Sequence, residues 1–303
     1  MNNDSQFQIG EYCVFYLDIM GQKKWLAELA KCEKAEAQKR VNDLAEPLLR
    51  FRKGVGKRVQ ESLDDTRTLL NAMIPNDSPQ KDTILKTVDD VSVGIQQFSD
   101  STLLYVKMGS PVSFVALFMM VEFVLFRMID ETARGFLLRG GIAIGNGWEV
   151  EKNCLCGRAI SDAYDLESKV SNWGRVTVSE LFLTRLKGIC GLAEISCGCW
   201  FSMLLRPMVK AVQRDIDGVL FLDYLNPAVE ELYKREHFSS DWLIERIERG
   251  YSFIKEQLER FQSKGTEELE AAQLALRYDI MRGYWKSRLE MWASLQQSQG
   301  GAR

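Results

Sequence analysis

The chain has 303 residues, 46% of them hydrophobic and 27% charged, enough for one large domain or two small ones with a proper core. A formal net charge of -3 excludes the basic balance of a duplex nucleic-acid binder. Met1-Asn2-Asn3-Asp4-Ser5 shows no positive region leading into an apolar one, so no secretory signal is expected, and seven cysteines, an odd number, favour reduced thiols in the cytoplasm.

Tyr12-Cys13-Val14-Phe15-Tyr16-Leu17-Asp18-Ile19-Met20-Gly21 opens with aromatic and β-branched residues and reads as a buried strand. It ends on a carboxylate, and a charge inside a sheet is costly unless a cation neutralises it. Gly21 lets the backbone turn tightly and approach a ligand. A strand, an acid, a glycine turn and a helix start together make a place for a metal-bound phosphate; taken alone, Asp18 is more often a cap or turn residue.

Lys24 to Arg52 is rich in Ala, Leu, Lys and Glu and predicts a long helix, bent or broken near Pro47. Lys53 to Thr68 is basic and polar with two glycines, and Pro75-Asn76-Asp77-Ser78-Pro79 is a loop. Asp89 to Val106 holds two strand-like runs around Ser99-Asp100-Ser101, which predicts a hairpin with Asp100 at its tip. Pro111 to Ile129 approaches the length of a membrane span, but Glu122 and Arg127 favour a helix packed on a sheet or at an interface. Phe136 to Gly147 reads as a strand with close backbone approach at its glycines. A helix starts at Gly157, and strands follow at Arg175–Val178 and Gly218–Asp223. Ala228 to Gln296 is helical, divided near Gly265. Cys154-Leu155-Cys156, Cys197-Gly198-Cys199 and Cys190 lack C-x-x-C spacing, and the single histidine, His237, is remote, so small buried strand residues explain them better than zinc. This order predicts an α+β fold, with helices packed on a sheet that includes an antiparallel hairpin.

The landmarks Phe15-Tyr16-Leu17-Asp18-Ile19-x-Gly21, Ser99-Asp100-Ser101, Leu138-Arg139-Gly-Gly-Ile-Ala-Ile-Gly145 and Gly157-x5-Ala163-x2-Leu166-Glu167 resemble, in content and order, those of class III nucleotidyl cyclases. The resemblance spans roughly Gly10 to Val178. It implies a mostly antiparallel, cyclase-like sheet with helices on one face, a helical insertion at about 24–88, a catalytic domain over 1–225 and a helical extension over 226–303. It implies two divalent cations, Mn²⁺ or Mg²⁺, held by Asp18, Asp100 and the carbonyl of Ile19. It also implies a triphosphate cradled by Met20, Gly21 and Gln22, and a homodimer with active sites at its interface.

The departures narrow the substrate. The family's base-reading positions hold Gln96 and Cys154, a pairing that matches neither the adenylyl nor the guanylyl pattern, although Cys154 alone fits the guanylyl one. A neutral amide can donate to or accept from a pyrimidine edge. The family's helix Asn and Arg are replaced by Ser161 and Asp165, so the charge-stabilising arginine must come from elsewhere, with Arg139 and Arg175 as candidates. With the long insertion, these departures look like the bacterial Pycsar anti-phage cyclases. That resemblance implies cyclisation of UTP, or next CTP, by a cytoplasmic enzyme whose product acts on a separate effector protein, with no nucleic-acid or membrane partner. A purine cyclase and a degenerate nucleotide-binding dimerisation domain are the alternatives.

Overall fold

The computed structural model describes residues 7–20, 32–79, 81–89, 92–98, 101–109, 111–196, 206–235, 239–263 and 269–300. The fold is α+β, and the chain divides into two compact units, Met1–Phe123 with Gly140–Glu167, and Val124–Arg139 with Ser168–Arg303.

The first unit starts with β1 (Gly10–Ile19), whose Val14, Phe15 and Leu17 are buried as the apolar run predicts. Burying side chains of this size contributes about 1.5–3 kcal/mol each. Helix α1 (Lys34–Met73) is a single 40-residue element. It is not broken at Pro47; one lost backbone bond is offset by good helix formers on either side. Lys81 Nζ donates to the carbonyls of Asn71 and Ile74, closing the end of α1 against α2 (Lys81–Asp89).

The predicted hairpin forms from β2 (Gly94–Gln97) and β3 (Ser101–Lys107), paired antiparallel. Strand β3 pairs antiparallel with β1 from Tyr12↔Lys107 to Asp18↔Ser101. Helix α3 (Pro111–Ala133) leads to β4 (Leu138–Glu151), and the strand order is β2-β3-β1-β4. Two βαβ crossovers interleaved in this way are a split βαβ arrangement. A short strand the sequence reading did not separate, β5 (Cys154–Gly157), folds back antiparallel on β4.

Helix α4 (Arg158–Asp165) packs on this sheet through Ala159 and Ala163, against Tyr12, Val14, Leu103, Tyr105 and Ala143. Its approach is close because of Gly141: a Cβ there would lie 2.0 Å from the Ala163 carbonyl oxygen. The glycines of β4 and the alanines of α4 are thus two sides of one contact. The helix widens into a π turn, Leu166–Val170, that buries Glu167.

The second unit contains β6 (Val176–Val178), α5 (Glu180–Ser196), β7 (Val212–Arg214), β8 (Leu220–Leu222), α6 (Glu230–Arg235), α7 (Ser240–Gln262) and α8 (Leu269–Gly300). Its strands run β6-β8-β7, both ladders antiparallel. Asp223, wholly buried at the end of β8, accepts from Tyr284 Oη at 2.7 Å and from Arg288 Nε at 3.1 Å. Trp292 Nε1 donates to the Leu225 carbonyl at 2.9 Å, and Trp285 Nε1 to Tyr224 Oη at 3.2 Å. These bonds fasten α8 to the end of the strand. Burial, and then the charge of Asp223, push the Tyr284 phenol well up. The apolar α3 is buried along almost its whole length, and among the described residues no helix is long and apolar enough to cross a membrane.

Candidate active site

Directly opposed residues of an antiparallel pair share a face. By register, Asp18 therefore shares a face with Ser101, and Tyr16 with Leu103 and Gln96. Side chains two residues apart lie on the same side, so Asp18, Tyr16 and Gln96 all stand on the face that α4 covers. Two strand spacings across and two residues along put the Cα atoms of Asp18 and Gln96 about 12 Å apart. That span is comparable with the length of a nucleotide.

At one end of this track, Asp18 is half-buried at the mouth of β1. Tyr16 Oη donates to Ser101 Oγ at 3.0 Å, and Ser101 Oγ donates to Asp18 Oδ1 at 3.4 Å. Burial pushes the Tyr16 phenol up, partly offset by its bond to Ser101. Tyr164 of α4, largely exposed, meets Tyr16 edge-on with ring centroids 5.5 Å apart. Ile19 is buried and Met20 half-buried in the turn that follows. Gly21, Gln22 and Asp100 lie outside the described residues.

At the other end, Gln96 of β2 and Cys154 of β5, 58 positions apart in sequence, come together because the β4–β5 hairpin closes over the edge strand. Two bonds make the closure: Ile95 N–H donates to Asn153 Oδ1 and Leu155 N–H donates to Gln96 Oε1, each at 3.3 Å. The Tyr105 ring fills the space above Gly94, where a Cβ would sit 2.1 Å from Tyr105 Cζ. Tyr12 and Tyr105 each place a phenol oxygen 3.5 Å from the Glu149 carboxylate. Burial and then Glu149 raise both phenols, Tyr105 the more strongly, so both are neutral donors at physiological pH. Cys154 is half-buried, its thiol raised by burial and by Cys156 beside it. Sequence reading missed Tyr12, Tyr105 and Glu149, and the alternation in Tyr12-x-Val14-x-Tyr16-x-Asp18 was the signal that could have found the first.

Arg175 is 1% exposed and bonds Asp215 and Asp217 at 2.7 Å each and the Val170 carbonyl at 3.0 Å. It locks the β7–β8 turn from a fully buried position. Arg139 lies half-buried on β4, in the second unit. A cleft of about 520 Å³ on α3 and α7, edged by Glu245, Glu248, Arg249 and Glu256, contains none of the residues selected from sequence.

The donors at the Asp18 end are hard oxygens: its carboxylate, the Ser101 hydroxyl and the carbonyl of Ile19. This set suits Mg²⁺ or Mn²⁺. Among the described residues no group of three or more His, Cys, Asp and Glu could hold a metal ion.

Compared with family models, with curated proteins and with solved structures, the chain finds no match.

Proposed function

We propose that the chain is a nucleotidyl cyclase that converts a pyrimidine nucleoside triphosphate, UTP first and CTP next, to its 3′,5′-cyclic monophosphate and pyrophosphate, as a second-messenger synthase in anti-phage defence. The reading rests on the residue landmarks of class III cyclases. The observation that carries it beyond sequence is the track on one sheet face, with Asp18 at one end and Gln96 beside Cys154 at the other. The antiparallel ladders of β2, β3 and β1 that carry this track, with α4 packed on the same face, support the reading.

In this account Asp18, the Ile19 carbonyl and Asp100 hold two divalent cations, Mn²⁺ or Mg²⁺. When bound, these activate the attacking 3′-hydroxyl and neutralise the leaving pyrophosphate. Ser101 keeps the Asp18 carboxylate oriented. Met20, Gly21 and Gln22 cradle the triphosphate, and Gln96 and Cys154 meet the base. Arg139 is the candidate for transition-state charge, since Arg175 is engaged elsewhere. The working form is a homodimer with sites at its interface, and the product acts on a separate effector.

Chromatography of the products from an equal mixture of ATP, GTP, CTP and UTP with Mn²⁺ tests the reading. Cyclic UMP as main product is expected; cyclic GMP as main product would overturn it. The engagement of Arg175, with Ser161 and Asp165 on α4, favours a second reading, a nucleotide-binding dimerisation domain without turnover. Nucleotide binding with no cyclic product would support that reading.

A further inference from the structure

We propose that the outer face of α8 is the docking surface for a second copy of this chain, the two α8 helices packing antiparallel about a two-fold axis. The proposal concerns the second unit alone and stands apart from the nucleotide site. An ordinary surface helix buries one apolar stripe and turns a polar one to water. Helix α8 buries such a stripe through Ala271, Met281, Trp285 and Trp292. At about 100° per residue, Leu269, Leu276, Ile280 and Met291 gather on the opposite side. These four are between 43% and 74% exposed. Two apolar faces on one helix call for two covers, and among the described residues the chain supplies one.

Gly283 lies on the same outer face. A glycine inside a helix is unfavourable relative to alanine, so its presence needs a cause. Gly250 on α7 has one, since a Cβ there would run into the Trp285 ring. Gly283 is exposed, and nothing lies within 4 Å of the place its Cβ would take. Packing within the chain does not account for it; the close approach of a helix from another molecule does.

The occupant follows from the spacing. Leu269, Leu276, Ile280, Gly283, Ser287 and Ser294 succeed one another at intervals of seven, four, three, four and seven, the seam of a helix pair. The intervals read the same in both directions, and the large residues fill one half while the small ones fill the other. Laid antiparallel on its own copy, the seam therefore sets Ile280 on Gly283, Leu276 on Ser287 and Leu269 on Ser294, each contact made twice. That is the self-complementarity a two-fold interface requires. In the same register Asp279 stands across the flank from Lys286 of the second copy. Asp279 holds Arg282 of its own helix at 2.7 Å, and a carboxylate accepts from more than one donor. A parallel pairing would set each large residue on its own counterpart and leave the notch at Gly283 empty.

Sedimentation equilibrium of the full chain over a concentration series tests the proposal, on wild type, Ile280→Glu and Gly283→Leu. Both positions face solvent, so both variants should keep the wild-type circular dichroism. Wild type is expected to associate, and each variant to weaken that association by roughly tenfold or more. Where a second face also joins copies, the variants should halve the mass of the assembly. Oxidative cross-linking fixes the direction. Leu276→Cys combined with Ser287→Cys should give a covalent dimer above the wild-type background. Neither single variant should do so, because like positions then lie roughly 16 Å apart along the axis. A wild type that stays monomeric throughout, or an assembly unchanged in both variants, would overturn the proposal. Cross-linking by the single variants would overturn the antiparallel pairing.

Discussion

Ser101 sits between two hydroxyl-bearing and carboxylate neighbours, accepting from Tyr16 and donating to Asp18. Its work is orientation, since a carboxylate that can rotate holds a cation less well than one that cannot. Ser101→Ala should raise the Mn²⁺ concentration for half-maximal turnover by roughly tenfold, the usual scale for losing an outer-shell partner, while Ser101→Thr restores it. An unchanged Mn²⁺ requirement in Ser101→Ala would contradict the role. The phenols of Tyr12 and Tyr105 give a second residue-scale expectation. Their pKa values are raised above the ordinary 10.0, so the fold favours the neutral form. The stability they contribute is fully present below about pH 10 and is lost as pH rises above it. Spectrophotometric titration should therefore find a tyrosine class that resists ionisation past that point, with melting temperature falling over the same range. A single class titrating at the ordinary value would contradict it.

Among the elements, the contact of α4 with β4 is set by size. A methyl on Gly141 would meet the Ala163 carbonyl and the Leu166 Cβ, so Gly141→Ala should cost about 1–3 kcal/mol, measured by denaturant unfolding. The end of β8 behaves differently, because it depends on charge. Asp223→Ala leaves Arg288 and the Tyr284 hydroxyl facing a gap, which should cost on the order of 3–5 kcal/mol, and Asp223→Asn less. Equal melting temperatures for Asp223→Ala and wild type would show that the network is ornamental.

The strands with dense apolar runs, β1 and β3, and the long apolar α3 were legible in sequence, because each buries enough surface to write a periodicity. The packing of α4 was visible as glycines and alanines without its cause. The short β5 and β7 were not legible, since three or four residues carry no period. Without β5, nothing could bring Cys154 to Gln96. Asp223, Tyr284 and Arg288 were silent for the same reason, being 61 and 65 residues apart. Helix α1 ran through Pro47 because a long stretch of strong helix formers outweighs one proline.

At the scale of the whole molecule, a net charge of -3 gives no field to draw in a polyphosphate, so local groups and metal must do so. The account thus converges on one carboxylate. Asp18 stands at the mouth of β1, and removing it should leave the fold intact while abolishing chemistry. The most direct measurement is Mn²⁺-dependent formation of cyclic UMP from UTP by wild type, Asp18→Ala and Asp100→Ala, each checked for unchanged circular dichroism. The account predicts turnover by wild type and none above background in either folded variant. Cyclic product at the wild-type rate from Asp18→Ala would contradict it.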